Sequence, residues 1–313
     1  MSDALIPSSE LNRDRPFVAL DAEHLARMLE ATGHYRTARR IMPPSVDSEF
    51  TPCFGERVAL LVDIETNVSD QRQPEIIEIA MLAVIVDSEG KPGPVIGLVE
   101  QLQEPSRPLS AMTKSLTGLT DAAVAGRRFD LDIIGTVLAQ ADFVVAHNAA
   151  RDRPLLECLH QDFACRPWAC SCADIVWAER GCDSARLVNL ASHFGWFFNP
   201  HRAMQDCIAL LVVLSATTLR QPHPPFVDLV AALARETVQL DAISVPFALR
   251  GLLKNRRYRW CPSVEGSPAA WRIEVAPENL DVEIAWLDRH VYAGSDITPL
   301  MRTVTAVERY RTS

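Results

Sequence analysis

The stretch from Arg57 to Thr66, RVALLVDIET, constrains this chain more than any other. Val58, Leu60, Leu61 and Val62 make it nearly continuous in apolar side chains. That pattern suits a central strand covered on both faces, because a strand with one wet face alternates instead. Asp63 and Glu65 close the run at positions i and i+2, so the pleat points both carboxylates to the same face. Two like charges on one face of a central strand repel each other and resist burial. A divalent cation between them removes that conflict. The plainer alternative is that the pair marks where the strand meets solvent.

The rest of the chain fits around this strand. A second strand is expected at Ile76–Asp87, then the turn SEGKPGP, then a third strand at Val95–Gln103. Helices are expected around Ser110–Leu119 and Asp130–Gln140, followed by a short buried strand at Phe143–Ala146. A helix at Ala149–Gln161, a strand at Trp168–Ile175 and helices at Ala185–Phe194 and Arg202–Leu219 complete the region. Three strands in meander order followed by alternating helices and strands predict an α/β fold: a mixed sheet with helices on both faces. Residues 1–54 read as an extension carrying a helix, with Asp21 as N-cap and Leu25, Met28 and Leu29 at helical spacing. RQPHPPF (220–226) reads as a linker. Residues 226–313 read as a small α+β module, closed by a helix at Glu283–Leu287.

Composition excludes several classes. At 48% hydrophobic the chain affords a substantial core. Its apolar runs are too short to span a bilayer, and no basic-then-apolar leader opens it, so a cytoplasmic protein is expected. Cys165, Cys170, Cys172 and Cys182 crowd together without the paired knuckles of a zinc site, and buried free thiols are expected there. The net charge of −9 runs against nucleic-acid binding. It resides entirely in the first 225 residues, since 226–313 balance 11 basic against 11 acidic residues. Carboxylates that bound cations neutralise account for such an excess.

Three more residues join Asp63 and Glu65 as candidates. Asp152 sits near the start of a helix after the segment AHNAARD, where an acid also suits the helix dipole. Asp206 lies early in a helix among apolar neighbours and needs a partner or a metal. His201 precedes it at the helix mouth, and imidazole titrates in the range that suits a general base at neutral pH.

DIET, AHNAARD and HRAMQD occur in that order, each at a strand or helix end. Over residues 55–220 this resembles the DEDDh family of 3′–5′ exonucleases, whose members include the proofreading epsilon subunit of bacterial replicative polymerase, ribonuclease T and oligoribonuclease. LTGLTDAAVAG (116–126) resembles the segment before the family's second motif. The resemblance implies a ribonuclease H-like fold with a mixed five-stranded sheet. It implies that Asp63, Glu65, Asp152 and Asp206 hold two Mg²⁺ or Mn²⁺ ions, oxygen-only ligands suiting such hard cations. His201 would deprotonate the attacking water, and the product would be a nucleoside 5′-monophosphate. Ile64, Thr66, His147, Asn148 and Arg151 would line the substrate path. The chain departs from the family at Asn67 and Val68, where relatives carry Thr-Gly, and at Arg151, where they carry an aromatic. None of these is a metal-ligand position, but all bear on the terminal-nucleotide pocket.

In the C-terminal module, Arg256, Arg257, Tyr258, Arg259 and Trp260 interleave charge with rings, as a grip on single-stranded nucleic acid would. The competing reading makes the aromatics a small core with arginines outside. The expected partner is nucleic acid: single-stranded DNA or a duplex 3′ end, with RNA, a polymerase-bound proofreader and a non-catalytic binder as rivals.

Overall fold

The computed structural model describes residues 21–68, 74–218, 221–263 and 266–311. In chain order its elements are α1 (Ala22–Ala31), β1 (Arg39–Arg40), β2 (Arg57–Asn67), β3 (Glu75–Val86), β4 (Pro92–Leu102), α2 (Ala111–Thr117), α3 (Asp121–Val124), α4 (Leu131–Gln140), β5 (Phe143–Ala146), α5 (Ala149–Leu159) and β6 (Trp168–Cys170). There follow α6 (Leu187–His193), β7 (Trp196–Phe197), α7 (Ala203–Ser215), α8 (Pro225–Leu233), β8 (Thr237–Ile243), α9 (Arg250–Asn255), β9 (Arg259–Cys261), β10 (Ala270–Val275), α10 (Leu280–Leu287) and β11 (Leu300–Val304).

The main sheet has the order β4-β3-β2-β5-β6. Its first three strands are antiparallel, while β5 and β6 run parallel to β2. This is the mixed, helix-flanked α/β sheet of the ribonuclease H-like fold. β2 is central, and its unbroken apolar run has a direct explanation. Ala59 and Leu61 enter a core with residues of α6, α7 and α8, while Val58, Leu60, Val62 and Ile64 enter a second core with residues of α4 and α5. β3 divides in the same way. β4 starts three residues earlier than expected and takes in Pro92 and Pro94, which an edge strand tolerates.

Several local expectations are corrected. The strand expected over Trp168–Ile175 ends at Cys170, where the Asp174 carboxylate accepts the Cys170 N–H at 2.7 Å and closes a turn. The presumed linker stops short of Pro225: Pro225 and Phe226 are buried in α8, and Phe226 joins the core beneath α7. Residue 220 lies outside the described residues. Of the four crowded cysteines, Cys170 and Cys182 are buried, Cys172 is half-buried and Cys165 is exposed; all eight thiols of the chain are free. Asp21 caps α1 as expected, but Leu25, Met28 and Leu29 stay exposed.

A second sheet, β11-β8-β10-β9, packs one face on Leu253, Tyr258, Leu287, Val291 and Tyr292. The chain then returns to the first sheet. Trp168 N–H donates to Ala306 O at 2.7 Å, and Arg309 pairs with Asp174 at 3.2 Å. Arg153, wholly buried, donates to the carbonyls of Val307 and Arg309, both at 2.6 Å. Among the described residues no helix is long and apolar enough to cross a membrane.

Candidate active site

Asp63 and Glu65 lie at the end of β2 on the face covered by α7, and α7 brings Asp206 to them. One carboxylate oxygen from each of the three lies within 4.8 Å of the others. Asp152 reaches the same cleft from α5. The turn from β5 into α5 passes through Asn148 in a left-handed conformation (φ 76°), which asparagine tolerates better than most residues. That sharp turn sets Asp152 one turn into the helix at the cleft wall. Asp152 is 5% exposed, and its Oδ2 is buried with no hydrogen-bond partner.

The cleft is about 720 Å³ in volume. Asp63, Glu65, Asp152, Asp206 and His201 all line it, as do Ile64, Thr66, His147, Asn148 and Arg151. The ten residues singled out for chemistry and substrate contact thus share one space. His201 is exposed at its mouth with a left-handed backbone (φ 68°). His147 is held by a 2.8 Å contact from Nδ1 to Ser171 Oγ, and burial pushes its pKa down to about 4, so it is neutral at physiological pH. Arg151 is exposed beside Asp152.

The electrostatics are those of carboxylates crowded together and buried. Burial, then the charges of Asp206, Asp152, Glu65 and Glu78, raises the Asp63 pKa well above the usual carboxylate range. Burial first and Asp206 next raise Glu65 to about 7, against a pull from Arg151. Burial raises Asp152 to about 7, again opposed by Arg151. Asp206 rises to about 6 through burial, although it accepts the Arg202 N–H at 3.1 Å. Four carboxylates destabilised together, one with an orphaned oxygen, form an all-oxygen donor set that fits hard divalent cations.

Sequence reasoning missed Glu78 and Arg202. Glu78 is fully buried on β3, opposite Glu65 in the strand register. Arg202 grips it with Nε at 3.0 and 3.2 Å and Nη2 at 2.8 Å, and also reaches Glu100 at 3.2 Å. The pair anchors the start of α7, one residue after His201. A glutamate inside the apolar run IIEIAML was the available signal. The departure at Asn67 is also explained. Its side chain accepts from Ser110 N–H at 3.0 Å and donates to Pro108 O at 3.3 Å, so it docks α2 against the end of β2. Val68, Met112, Leu116 and Val188 are exposed apolar residues on the cleft walls.

The expected C-terminal grip divides. Arg256 forms a bidentate pair with Glu283 at 2.8 and 2.9 Å, and buried Tyr258 donates to the same carboxylate at 2.8 Å. Arg257, Arg259 and Trp260 are exposed.

The ribonuclease H-like sheet thus carries clustered carboxylates at the end of its central strand. Residues 60–214 match the Exonuclease family model (RNase_T). Through these residues the chain belongs to the DEDDh-type 3′–5′ exonuclease family. It is 28% identical over 155 residues to Exodeoxyribonuclease 10 of Escherichia coli (strain K12), which is 47% of this chain and 64% of the relative. The chain thus spans less than two thirds of the length of the curated relatives it matches. Among solved structures, Exonuclease X in complex with 5′ overhanging duplex DNA is 23% identical, covers 54% of this chain and 99% of its own, and has a TM-score of 0.36. A 3′-exonuclease described for 3′-end specific recognition of a histone mRNA stem-loop is 14% identical, covers 50% and 79%, and has a TM-score of 0.38.

Proposed function

We propose that this protein is a metal-dependent 3′–5′ exonuclease that acts in the cytoplasm, prefers DNA and releases nucleoside 5′-monophosphates. The observation that carries the reading is the convergence of Asp63, Glu65 and Asp206 within 4.8 Å, with the orphaned Asp152 oxygen in the same cleft. The preference for DNA is supported by the curated relative, an exodeoxyribonuclease.

Asp63, Glu65, Asp152 and Asp206 would hold two Mg²⁺ or Mn²⁺ ions, which would acidify a water and neutralise charge at the scissile phosphate. His201, exposed at the cleft mouth, takes the proton as the water oxygen bonds to phosphorus; the bond from phosphorus to the 3′-oxygen breaks, and that oxygen leaves with the electron pair and takes a proton from solvent. The Glu78–Arg202 pair keeps that histidine at the start of α7. Ile64, Thr66 and Asn148 position the terminal nucleotide, with apolar packing from Met112 and Leu116. Arg151 offers its guanidinium to a phosphate.

The test is mononucleotide release from 3′-ends in Mg²⁺ or Mn²⁺, across single-stranded, duplex and mismatched DNA, long RNA and a dinucleotide. Metal-dependent release, fastest on DNA, is expected. Turnover of RNA alone would overturn the DNA preference, and no turnover of any substrate would overturn the reading.

A further inference from the structure

The basic segment of the C-terminal module has an inner and an outer side. From Ile243 to Val264 it contains no acid. A 3₁₀ turn, Phe247–Leu249, runs without a break into α9. Helical spacing sorts the side chains of this run. Leu249, Leu253 and Arg256, at i, i+4 and i+7, turn inward. Leu253 is buried in the core of the second sheet, Leu249 packs against that core, and Arg256 pairs with Glu283. Phe247, Arg250 and Lys254, at i, i+3 and i+7, fall on the other side, and all three are exposed.

The outer three form one continuous surface. The Arg250 guanidinium lies over the Phe247 ring, 3.9 Å from its centre, and Lys254 stands one turn further along the same stripe. Phe247 is nevertheless 76% exposed. Gly251, one turn on from Phe247, adds no side chain to the stripe, and a Cβ there would meet no atom within 4 Å. The charges are unspent. Arg256 has a carboxylate partner on the inner side, whereas among the described residues Arg250 and Lys254 have none within ion-pairing distance. The same holds for Arg257, exposed in the turn that follows α9. Unpaired cations beside an open ring are the two components that recognise a single strand: charge for phosphodiester oxygens and a flat surface for a base. A guanidinium already stacked on the ring is held ready for a phosphate rather than searching for one.

We propose that this outer stripe is a second nucleic-acid site, in which Arg250, Lys254 and Arg257 meet the phosphodiesters of a single strand and Phe247 stacks on one of its bases. The choice of ligand rests on the exonuclease reading; the geometry of the stripe does not. The site replaces the expected grip, two of whose members, Arg256 and Tyr258, are engaged by Glu283 on the inner side.

The experiment uses the full chain in EDTA, which separates binding from turnover. Fluorescence anisotropy follows a labelled oligo(dT) of about 20 nucleotides titrated with the parent, Phe247→Ala, Phe247→Tyr and Lys254→Gln proteins over a range of salt. Phe247→Ala should weaken binding about ten-fold, within the range of base–aromatic stacking, and Phe247→Tyr should recover most of it. Lys254→Gln should flatten the slope of log K against log salt by about 0.7, as loss of one single-strand phosphate contact does. Both side chains are exposed, so unchanged thermal melting is expected of each variant. Parent-like affinity and salt slope in all variants, or no binding by the parent, overturns the site. Capture of the parent by phosphatidylglycerol vesicles without any binding to the oligonucleotide would assign the stripe to a lipid surface and overturn it as well. Hydrolysis of a dinucleotide by the parent in Mn²⁺ is the separate readout of the exonuclease reading. Loss of oligonucleotide binding in Phe247→Ala, with no such hydrolysis by the parent, would sink that reading and keep the site.

Discussion

Asp152→Asn should make the metal-free protein more stable. Asp152 is 5% exposed, one of its oxygens has no partner, and its pKa rises from an ordinary 3.8 to about 7 through burial. A carboxyl whose folded pKa is raised binds its proton more tightly when folded. Its favourable contribution is therefore complete below about pH 4 and is lost as pH climbs through about 7. Each pKa unit is worth about 1.4 kcal/mol, so the ionised group costs the fold roughly 4 kcal/mol at pH 8. Asparagine keeps the shape and discards the charge. Urea unfolding in EDTA at pH 8 should show the variant to be about 3–4 kcal/mol more stable than the parent, with the gap closing near pH 4. Adding Mg²⁺ should reverse the order, because the parent gains stability by binding the ion and the variant gains far less. A variant no more stable than the parent in EDTA at pH 8 would mean that the buried Asp152 charge does not destabilise the fold.

Three further predictions concern the framework. Arg202→Met strips the fully buried Glu78 of its counter-charge and should cost about 3 kcal/mol in chemical denaturation, as removal of one member of a buried pair does. His201→Gln should slow mononucleotide release about 10²- to 10⁴-fold, with the Mg²⁺-induced rise in melting temperature intact. Arg153→Met orphans the carbonyls of Val307 and Arg309 and removes the guanidinium stacked 5.3 Å from the Trp168 ring. It should cost about 3 kcal/mol and expose the segment 305–311 to limited proteolysis.

The sheet was legible wherever burial on both faces left its mark. The apolar runs of β2 and β3 need two covering layers, and a strand with that need can only be internal. The cleft was legible for a related reason. Charged residues interrupt those runs and the helix of Asp206 at points where a globular core does not tolerate them without a partner. What the sequence hid are partnerships across long separations. Glu78 and Arg202 stand 124 residues apart, and Arg153 and Arg309 stand 156 apart. No local pattern joins them. Arg153 also sits beside Asp152, in a segment whose visible signal belongs to the acid. The linker reading failed at Pro225 because proline serves equally as the first residue of a helix, and the buried Phe226 behind it decides the matter. Tyr258 and Trp260, two residues apart in one basic run, look alike in sequence and differ in the fold: the first is tied to Glu283 inside, the second faces solvent.

On the proposed function, the clustered carboxylates make the cleft a metal-dependent nuclease site. This is tested most directly by mononucleotide release from a 3′-labelled single strand in Mg²⁺ or Mn²⁺, comparing the parent with Asp63→Ala and Asp206→Ala. The parent should release mononucleotides and stop in EDTA, and neither variant should release any at any metal concentration. Parent-like release from both folded variants would contradict it.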